Sequence, residues 1–549
     1  MKKRNLILIL ARGGSKKISK QNLRLVAGKP LLYYVLTSCL RSKSGDVYVS
    51  TDSNEIKEVS ILYGGKVINR PKNLAQDSTT LADMAAHAIS YLKKENVSLD
   101  KCLILSPVFP LLSINTIRRF FSYTTKNRST LIGFTKDVNE IYRMTKKSTQ
   151  NPIPLSTTNT NVVKLKKIVC FNVLEFLKNN DFVKPDYGLE IPPNEGIAIN
   201  DYHDLNIIEE IIKRKRILVR VDGNNRIGLG HVYNMLTILN HFRNDEILVV
   251  MDSGKRLGDY LFKQQLYKVK LFTTQKDFEK IISNYKPDVI FNDILDTDKA
   301  YMKRIKKFNS YVVNFEDLGP GNNFADLVFN PIYYSNKVSS TKKFFGEKYA
   351  CIRDEFRIWY SKTENKHKKS TVLITFGGSD PKNLTTKILQ TILDNQLKLN
   401  LILILGSGFN HKTQILKLVK KMQNLSYNIK VLENANLFAK NILDSDFVIT
   451  ANGRTVFEVV SLFTPFITIS ANSREEKHMF SRYSRGGIHL GLHSKLSDKK
   501  IVWAINKMKN KLMRKKLNYQ LKNFDLLSGV YEVVKIINTG YNKYKNGWG

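Results

Sequence analysis

Two glycine-bearing turns and one histidine stand out in this 549-residue sequence as residues of a type and spacing that could do chemistry. The first turn reads ARGGSKKISKQN, where Gly13 and Gly14 let backbone approach a ligand and Arg12, Ser15, Lys16 and Lys20 can meet phosphate oxygens. Cations packed into so tight a turn repel unless something anionic answers them. Its spacing is neither GxxxxGK[ST] nor GxGxxG, so a P-loop and a dinucleotide fingerprint are both excluded. The second turn lies in RVDGNNRIGLGHVYNMLTIL and sets Gly228, Gly230 and His231 where a strand turns into a helix, a place that favours a diphosphate. A histidine of ordinary pKa, about 6.5, can take a proton from water there and serve as a general base. Farther on, Gly377, Gly378 and Ser379 form another phosphate-sized loop, and Gly453, Arg454 and Thr455 precede a helix on which Glu458 could accept both ribose hydroxyls. Asn472, Glu475 and His478 follow the next strand and either face a bound sugar or form a solvated ANSREEK turn.

These turns need strands to hold them. The first two hundred residues alternate short apolar runs (NLILIL, DVYVST, CLILS) with helical stretches (PLLYYVLTSCL, ADMAAHAISYLKK), which predicts a parallel sheet covered by helices. Ligands bind at the strand ends of such sheets. After DLNIIEEIIKRK a new strand starts at RILVRVDG, and after the lysine-rich Ser361 to Lys369 another starts at TVLITFGG. The division expected is 1–213, 214–368 and 369–549, α/β throughout, with the final YNKYKNGWG as a frayed tail.

The first loop, with VYVSTDSNEI and GGKVINRPKNLAQDSTTLAD after it, resembles the opening motifs of the acylneuraminate cytidylyltransferases (CMP-nonulosonic acid synthetases). The resemblance implies a Rossmann-like nucleotidyltransferase domain that moves CMP from CTP to a nonulosonic acid. Arg12, Gly13, Ser15, Lys16 and Asn22 would hold CTP, with Arg70, Asp77 and Ser78 completing the nucleotide pocket. Asp77 and Ser78 could instead cap the helix that begins near Thr80. SPVFPL departs from the family pattern, leaving Ser106 among the expected sugar-acid contacts with Val108 and Phe109 where polar residues belong. AIN puts Ala198 and Asn200 where two metal-binding carboxylates are expected. Magnesium, which nucleotidyl transfer needs and which prefers carboxylate oxygens, would then fall to Asp52, Asp201 or Asp204.

From residue 216 onward, the His231 turn, VVNFEDLGPGNNFADLVFNPI, FGGSDPKNLT and ANGRTVFEVVSLFTPF resemble the pseudaminic-acid-pathway UDP-sugar hydrolases, a spore coat polysaccharide biosynthesis-like family. That implies a GT-B-like pair of Rossmann-type lobes hydrolysing a UDP-diacetamido-trideoxy sugar, with His231 as the catalytic base. The family's arginine three residues after the histidine is here Asn234. A UDP-sugar glycosyltransferase with a nucleotide-binding N-terminal domain is the alternative reading, and a scaffold role is the alternative for the N-terminal domain alone.

Composition bounds the partners. Lys and Arg number 88 against 48 Asp and Glu, a formal charge of +40, yet no nucleic-acid motif appears, so phosphorylated small molecules are the expected partners and nucleic acid is not. No apolar run reaches the length of a membrane span, which leaves peripheral membrane contact at most. Cys39, Cys102, Cys170 and Cys351 are too widely spaced for a metal motif and read as buried thiols of a cytoplasmic protein. The family resemblance also implies a homodimer formed through the N-terminal domain.

Overall fold

A computed structural model describes residues 3–15, 18–125, 129–136, 142–143, 153–154, 163–182, 187–224, 228–333, 342–360, 371–406, 408–433, 435, 437–482 and 486–547. Lys16 and the Ser361 to Lys369 stretch lie outside the described residues. The chain divides into two compact units, Met1–Arg214 and Lys215–Gly549.

In the first unit, the NLILIL run forms the strand Arg4–Leu10, whose central residues Leu6 to Ile9 are wholly buried because helices cover both sheet faces. It pairs in parallel with Asp46–Thr51 (Leu6 opposite Asp46) on one side and with Leu99–Leu105 on the other. The sheet is mixed rather than parallel. Val163–Asn172 runs antiparallel between Leu99–Leu105 and Thr130–Lys136, so CFNVLEF becomes the end of that strand and the start of the helix Val173–Asn179. Thr80 and Asp83 start the helix Leu81–Lys94 with a reciprocal capping box, which leaves Asp77 and Ser78 outside the cap.

The second unit holds two wholly parallel sheets. The order in the first is Lys268–Phe272, Glu246–Asp252, Arg216–Val221, Val289–Asp293, Tyr311–Phe315, Leu327–Asn330 and Lys343–Phe345. The order in the second is Ile429–Glu433, Asn400–Leu405, Thr371–Thr375, Phe447–Ala451, Phe466–Ser470 and Gly487–Leu492. In each, strand order reverses beside the first strand of the lobe, and the loops after the central strands meet at that switch point. This is a GT-B-like pair of Rossmann-type lobes.

The first five residues of the expected frayed tail, 541–545, instead end a helix, Gly529–Lys545, that returns to the first lobe. Val533, Ile537 and Tyr541 join the core built on Ile217, Val219 and Phe291, so the end of the chain packs with residues before 360 rather than with the second lobe. The apolar spacing of this helix supplies the buried face, with Tyr541 meeting Tyr311 edge-on and Tyr544 lying tilted against it. Ile537 is 1% exposed. Ile537→Ala should therefore cost about 2–5 kcal/mol, read as a lower urea midpoint, and a midpoint unmoved by the substitution would show that the helix does not seal the first lobe.

Candidate functional sites

In the N-terminal unit the loop after the first strand is braced from behind. Gly13 N–H donates to Asp52 Oδ1 at 2.9 Å, and a Cβ on Gly13 would lie 2.9 Å from that of Ser53. Asn22 is buried and donates to the Arg12 carbonyl at 2.9 Å, while Ser15 bonds Gln21 at 3.1 Å, so both shape the turn. The repulsion expected in this loop is answered from within the protein: Arg12 pairs with Asp77 at 2.6 Å. Arg70, its side chain 2% exposed, lies 3.9 Å from Asp52, and burial together with Arg12 presses its pKa down against the pull of Asp52. Ser78 is exposed, and Ser106 sits just past the strand Leu99–Leu105, its hydroxyl facing the Val108 N–H at 3.5 Å.

The residues at the late motif do not fit a carboxylate-held cation. Ala198 packs against the core, the Asn200 amide donates to the Ala198 carbonyl and to Asp204, and Asp201 caps the helix Tyr202–Lys213 through the Asp204 N–H. Among the described residues, no three His, Cys, Asp or Glu side chains gather as a metal site.

In the C-terminal unit a cavity of about 550 Å³ opens between the lobes. The first lobe lines it with Gly230, Tyr233 and Asn234, and the second with Gly377, Gly378, Arg454, Thr455 and Glu458. Gly228 and Gly377 both take φ of +74°, which a side chain would strain. The helix Gly230–Leu239, whose first residue lines the cavity, begins without a side-chain cap. Opposite, Asp380 accepts from the Leu384 and Thr385 N–H groups, both at 2.8 Å, and ties the Gly377 loop to the helix behind it. The lobes approach closely: a Cβ on Gly378 would lie 3.5 Å from the Leu229 nitrogen. Glu458 is held by Arg353 at 2.8 Å, whose guanidinium lies over the Tyr233 and Phe438 rings, so a ribose would meet a carboxylate already braced on one oxygen.

His231 follows Gly230, which lines this cavity, but is itself buried behind the lining and is 5% exposed. Its Nδ1 is 2.5 Å from Asp293 Oδ1, and Asn234 donates to the other carboxylate oxygen at 2.7 Å. Arg454, from the second lobe, donates to the Asn234 side-chain amide oxygen Oδ1 at 2.7 Å and pairs with Glu316 at 2.9 Å. Glu316 is 4% exposed and sits at φ of +54°, an uncommon backbone for glutamate that aims its carboxylate across the cleft. Arg474, also from the second lobe, donates to the Glu316 carbonyl at 2.5 Å and pairs with Asp296 at 2.6 Å. Burial pushes the His231 pKa down, but the charge and hydrogen bond of Asp293, with help from Glu316, outweigh it, and the net direction is upward. Asp293 therefore fixes the Nδ1–H tautomer and leaves Nε2 as the proton acceptor.

Asp293, Glu316 and Arg474 escaped the sequence reading, although a carboxylate ending the strand next to the first strand of the lobe is a usable signal for Asp293. Two expected sugar contacts are corrected. Asn472 caps its own turn, accepting from the Arg474 and Glu475 N–H groups at 3.0 and 2.9 Å. His478 is fully enclosed against Phe457, has no hydrogen-bond partner at either ring nitrogen, and does not line the cavity. Ser379 is 7% exposed and does not line the cavity either. Of the cysteines, Cys39, Cys102 and Cys170 are buried, whereas Cys351 is half-buried and lines the cleft. No helix among the described residues is long and apolar enough to cross a membrane.

Residues 6–180, within the N-terminal unit, match the cytidylyltransferase family model. The chain is 35% identical over 128 residues to the pseudaminic acid cytidylyltransferase of Campylobacter jejuni subsp. jejuni, covering 23% of this chain and 55% of that protein. It is 31% identical over 277 residues to the uncharacterized protein MJ1062 of Methanocaldococcus jannaschii, covering 48% of this chain and 57% of that one. The chain thus spans about half the length of these two relatives. It is also 24% identical over 503 residues to the Helicobacter pylori pseudaminic acid cytidylyltransferase and UDP-2,4-diacetamido-2,4,6-trideoxy-beta-L-altropyranose hydrolase, covering 86% of this chain and 89% of that protein.

Two outcomes follow from the C-terminal geometry. Arg454→Ala should cost about 3–5 kcal/mol by leaving the buried Glu316 carboxylate uncompensated, read as a lower urea midpoint, and Arg454→Lys should restore it only in part, because it lacks the guanidinium fork that reaches Asn234 and Glu316 together. Burial lowers the His478 pKa to about 3. The unfolded chain therefore takes up a proton that the folded chain refuses, and stability should fall as pH drops from about 6.5 towards that value. His478→Leu should flatten the fall in urea midpoint across that window, and an unchanged slope would contradict the burial of this ring.

Proposed function

We propose that the C-terminal unit hydrolyses a UDP-linked diacetamido-trideoxy sugar, with His231 as general base, and that the N-terminal domain transfers CMP from CTP to a nonulosonic acid. The observation that carries the first reading is the buried His231–Asp293 pair directly behind Gly230 and Asn234, which line a two-lobed cleft whose loops suit a nucleoside diphosphate. UDP would place its ribose towards Glu458 and its diphosphate between the start of the helix Gly230–Leu239 and the Gly377 loop. Water then loses a proton to His231 Nε2 while its oxygen bonds the anomeric carbon and the sugar–oxygen bond to UDP breaks. Asp293 holds the imidazolium so formed, and Arg454 offsets charge on the departing UDP. The Helicobacter pylori relative, whose name joins the same two activities, supports this pairing.

For the N-terminal domain, support comes from the family match and from the Arg12, Arg70 and Asp77 cluster at the strand ends. Magnesium would arrive on the CTP phosphates, with few protein ligands waiting for it.

UDP release measured with no sugar acceptor present separates hydrolysis from transfer. His231→Asn should lower kcat by about 10²–10⁴-fold with UDP binding retained. Wild-type rate should rise with pH through an apparent pKa above the ordinary histidine value, since the base must be neutral. Asp293→Asn removes the groups that raise it, so the acidic limb should move to lower pH while the rate falls. A limb that stays in place would count against His231 as the base. Separately, pyrophosphate release from CTP and a nonulosonic acid should be lost in Arg12→Ala, and release that survives would remove that loop from the reaction.

A further inference from the structure

The second lobe carries a surface that neither nucleotide site uses. Residues 495–522 contain ten basic side chains and one acid, a net +9 within a chain whose whole excess is +40. They form two successive helices, Asp498–Lys509 and Lys511–Leu521. Each helix buries one face: Ile501, Ala504, Ile505 and Met508 on the first, and Leu517 and Leu521 on the second. The outward faces combine lysine with large apolar residues. On the first helix Trp503, 53% exposed, has exposed Lys499, Lys500 and Lys507 three or four residues away, on its own face. On the second, Leu512 at 76%, Lys515, Lys516 and Tyr519 at 73% follow the i, i+3, i+4, i+7 spacing of one stripe, with Lys522 continuing it.

Lysines on a solvated surface are commonly paired with carboxylates, but here Lys499, Lys500, Lys507, Lys515, Lys516 and Lys522 have no ion pair among the described residues. Single exposed apolar residues occur elsewhere on this protein, Leu266 among them, but here a leucine and a tyrosine, each about three-quarters exposed, share one helical stripe with cations that have no ion pair among the described residues. A membrane interface does, because the ammonium groups meet anionic headgroups while indole, phenol and leucine enter the acyl boundary. A nucleic-acid backbone would satisfy the lysines and the aromatic faces but not Leu512.

We propose that the paired helices Asp498–Lys509 and Lys511–Leu521 are a docking surface for an anionic phospholipid bilayer, holding the protein peripherally on the membrane. The test is co-sedimentation of the full chain with phosphatidylglycerol-containing vesicles and with pure phosphatidylcholine vesicles, together with tryptophan emission. The expected result is partition onto the anionic vesicles only, lost with added salt and reduced about tenfold or more by Lys515→Glu with Lys516→Glu. A blue shift on binding should vanish in Trp503→Phe, which retains binding through the second helix. Both variants should keep the wild-type circular dichroism spectrum, which distinguishes lost docking from lost folding. Equal partition onto both vesicle types, a charge-reversed variant that is folded and binds undiminished, a blue shift that survives Trp503→Phe, or capture by RNA with no vesicle binding would each overturn the proposal.

Discussion

Arg454 is the interaction on which the C-terminal unit turns. It reaches out of the second lobe to bond Asn234 and Glu316 of the first, and through Asn234 it touches the carboxylate that orients His231. Glu316 is almost sealed from water, so removing the arginine would leave a buried carboxylate uncompensated, a loss of about 3–5 kcal/mol in comparable buried pairs. The contact between the lobes and the orientation of the histidine are thus joined through one chain of hydrogen bonds. A ligand that pulls Arg454 towards its own phosphates would be felt at the imidazole three hydrogen bonds away.

This arrangement gives a physical account of Asn234. An arginine at this position would bring a second fixed cation towards Arg454 and His231. The amide instead donates to Asp293 and accepts from Arg454, so a single neutral group links the carboxylate of one lobe to the guanidinium of the other.

Much of this was legible in sequence. Continuous apolar runs gave the strands, glycine turns gave the loops, and the position of His231 after Gly228 and Gly230 marked one edge of the cleft. What could not be read is what depends on distant residues meeting. Asp293 stands 62 positions beyond His231, and no periodicity joins them. Glu316 carries no local sign of its left-handed backbone. His478 looked like a sugar contact because it follows a strand, yet it lies wholly inside. The final helix had the right apolar spacing, but only packing reveals that its partner is a sheet built some two hundred residues earlier. In the N-terminal domain, two cations in a glycine turn pointed outward to a ligand, whereas Asp77 already answers Arg12.

The most direct measurement is a double-mutant cycle on UDP release, with Asn234→Ala, Arg454→Ala and the pair compared at fixed pH. If the two side chains act as one connection between His231 and the opposite lobe, the double variant should be little worse than the more damaged single variant. Losses that simply add would contradict the account, because they would mean that Asn234 serves His231 and Arg454 serves the nucleotide independently.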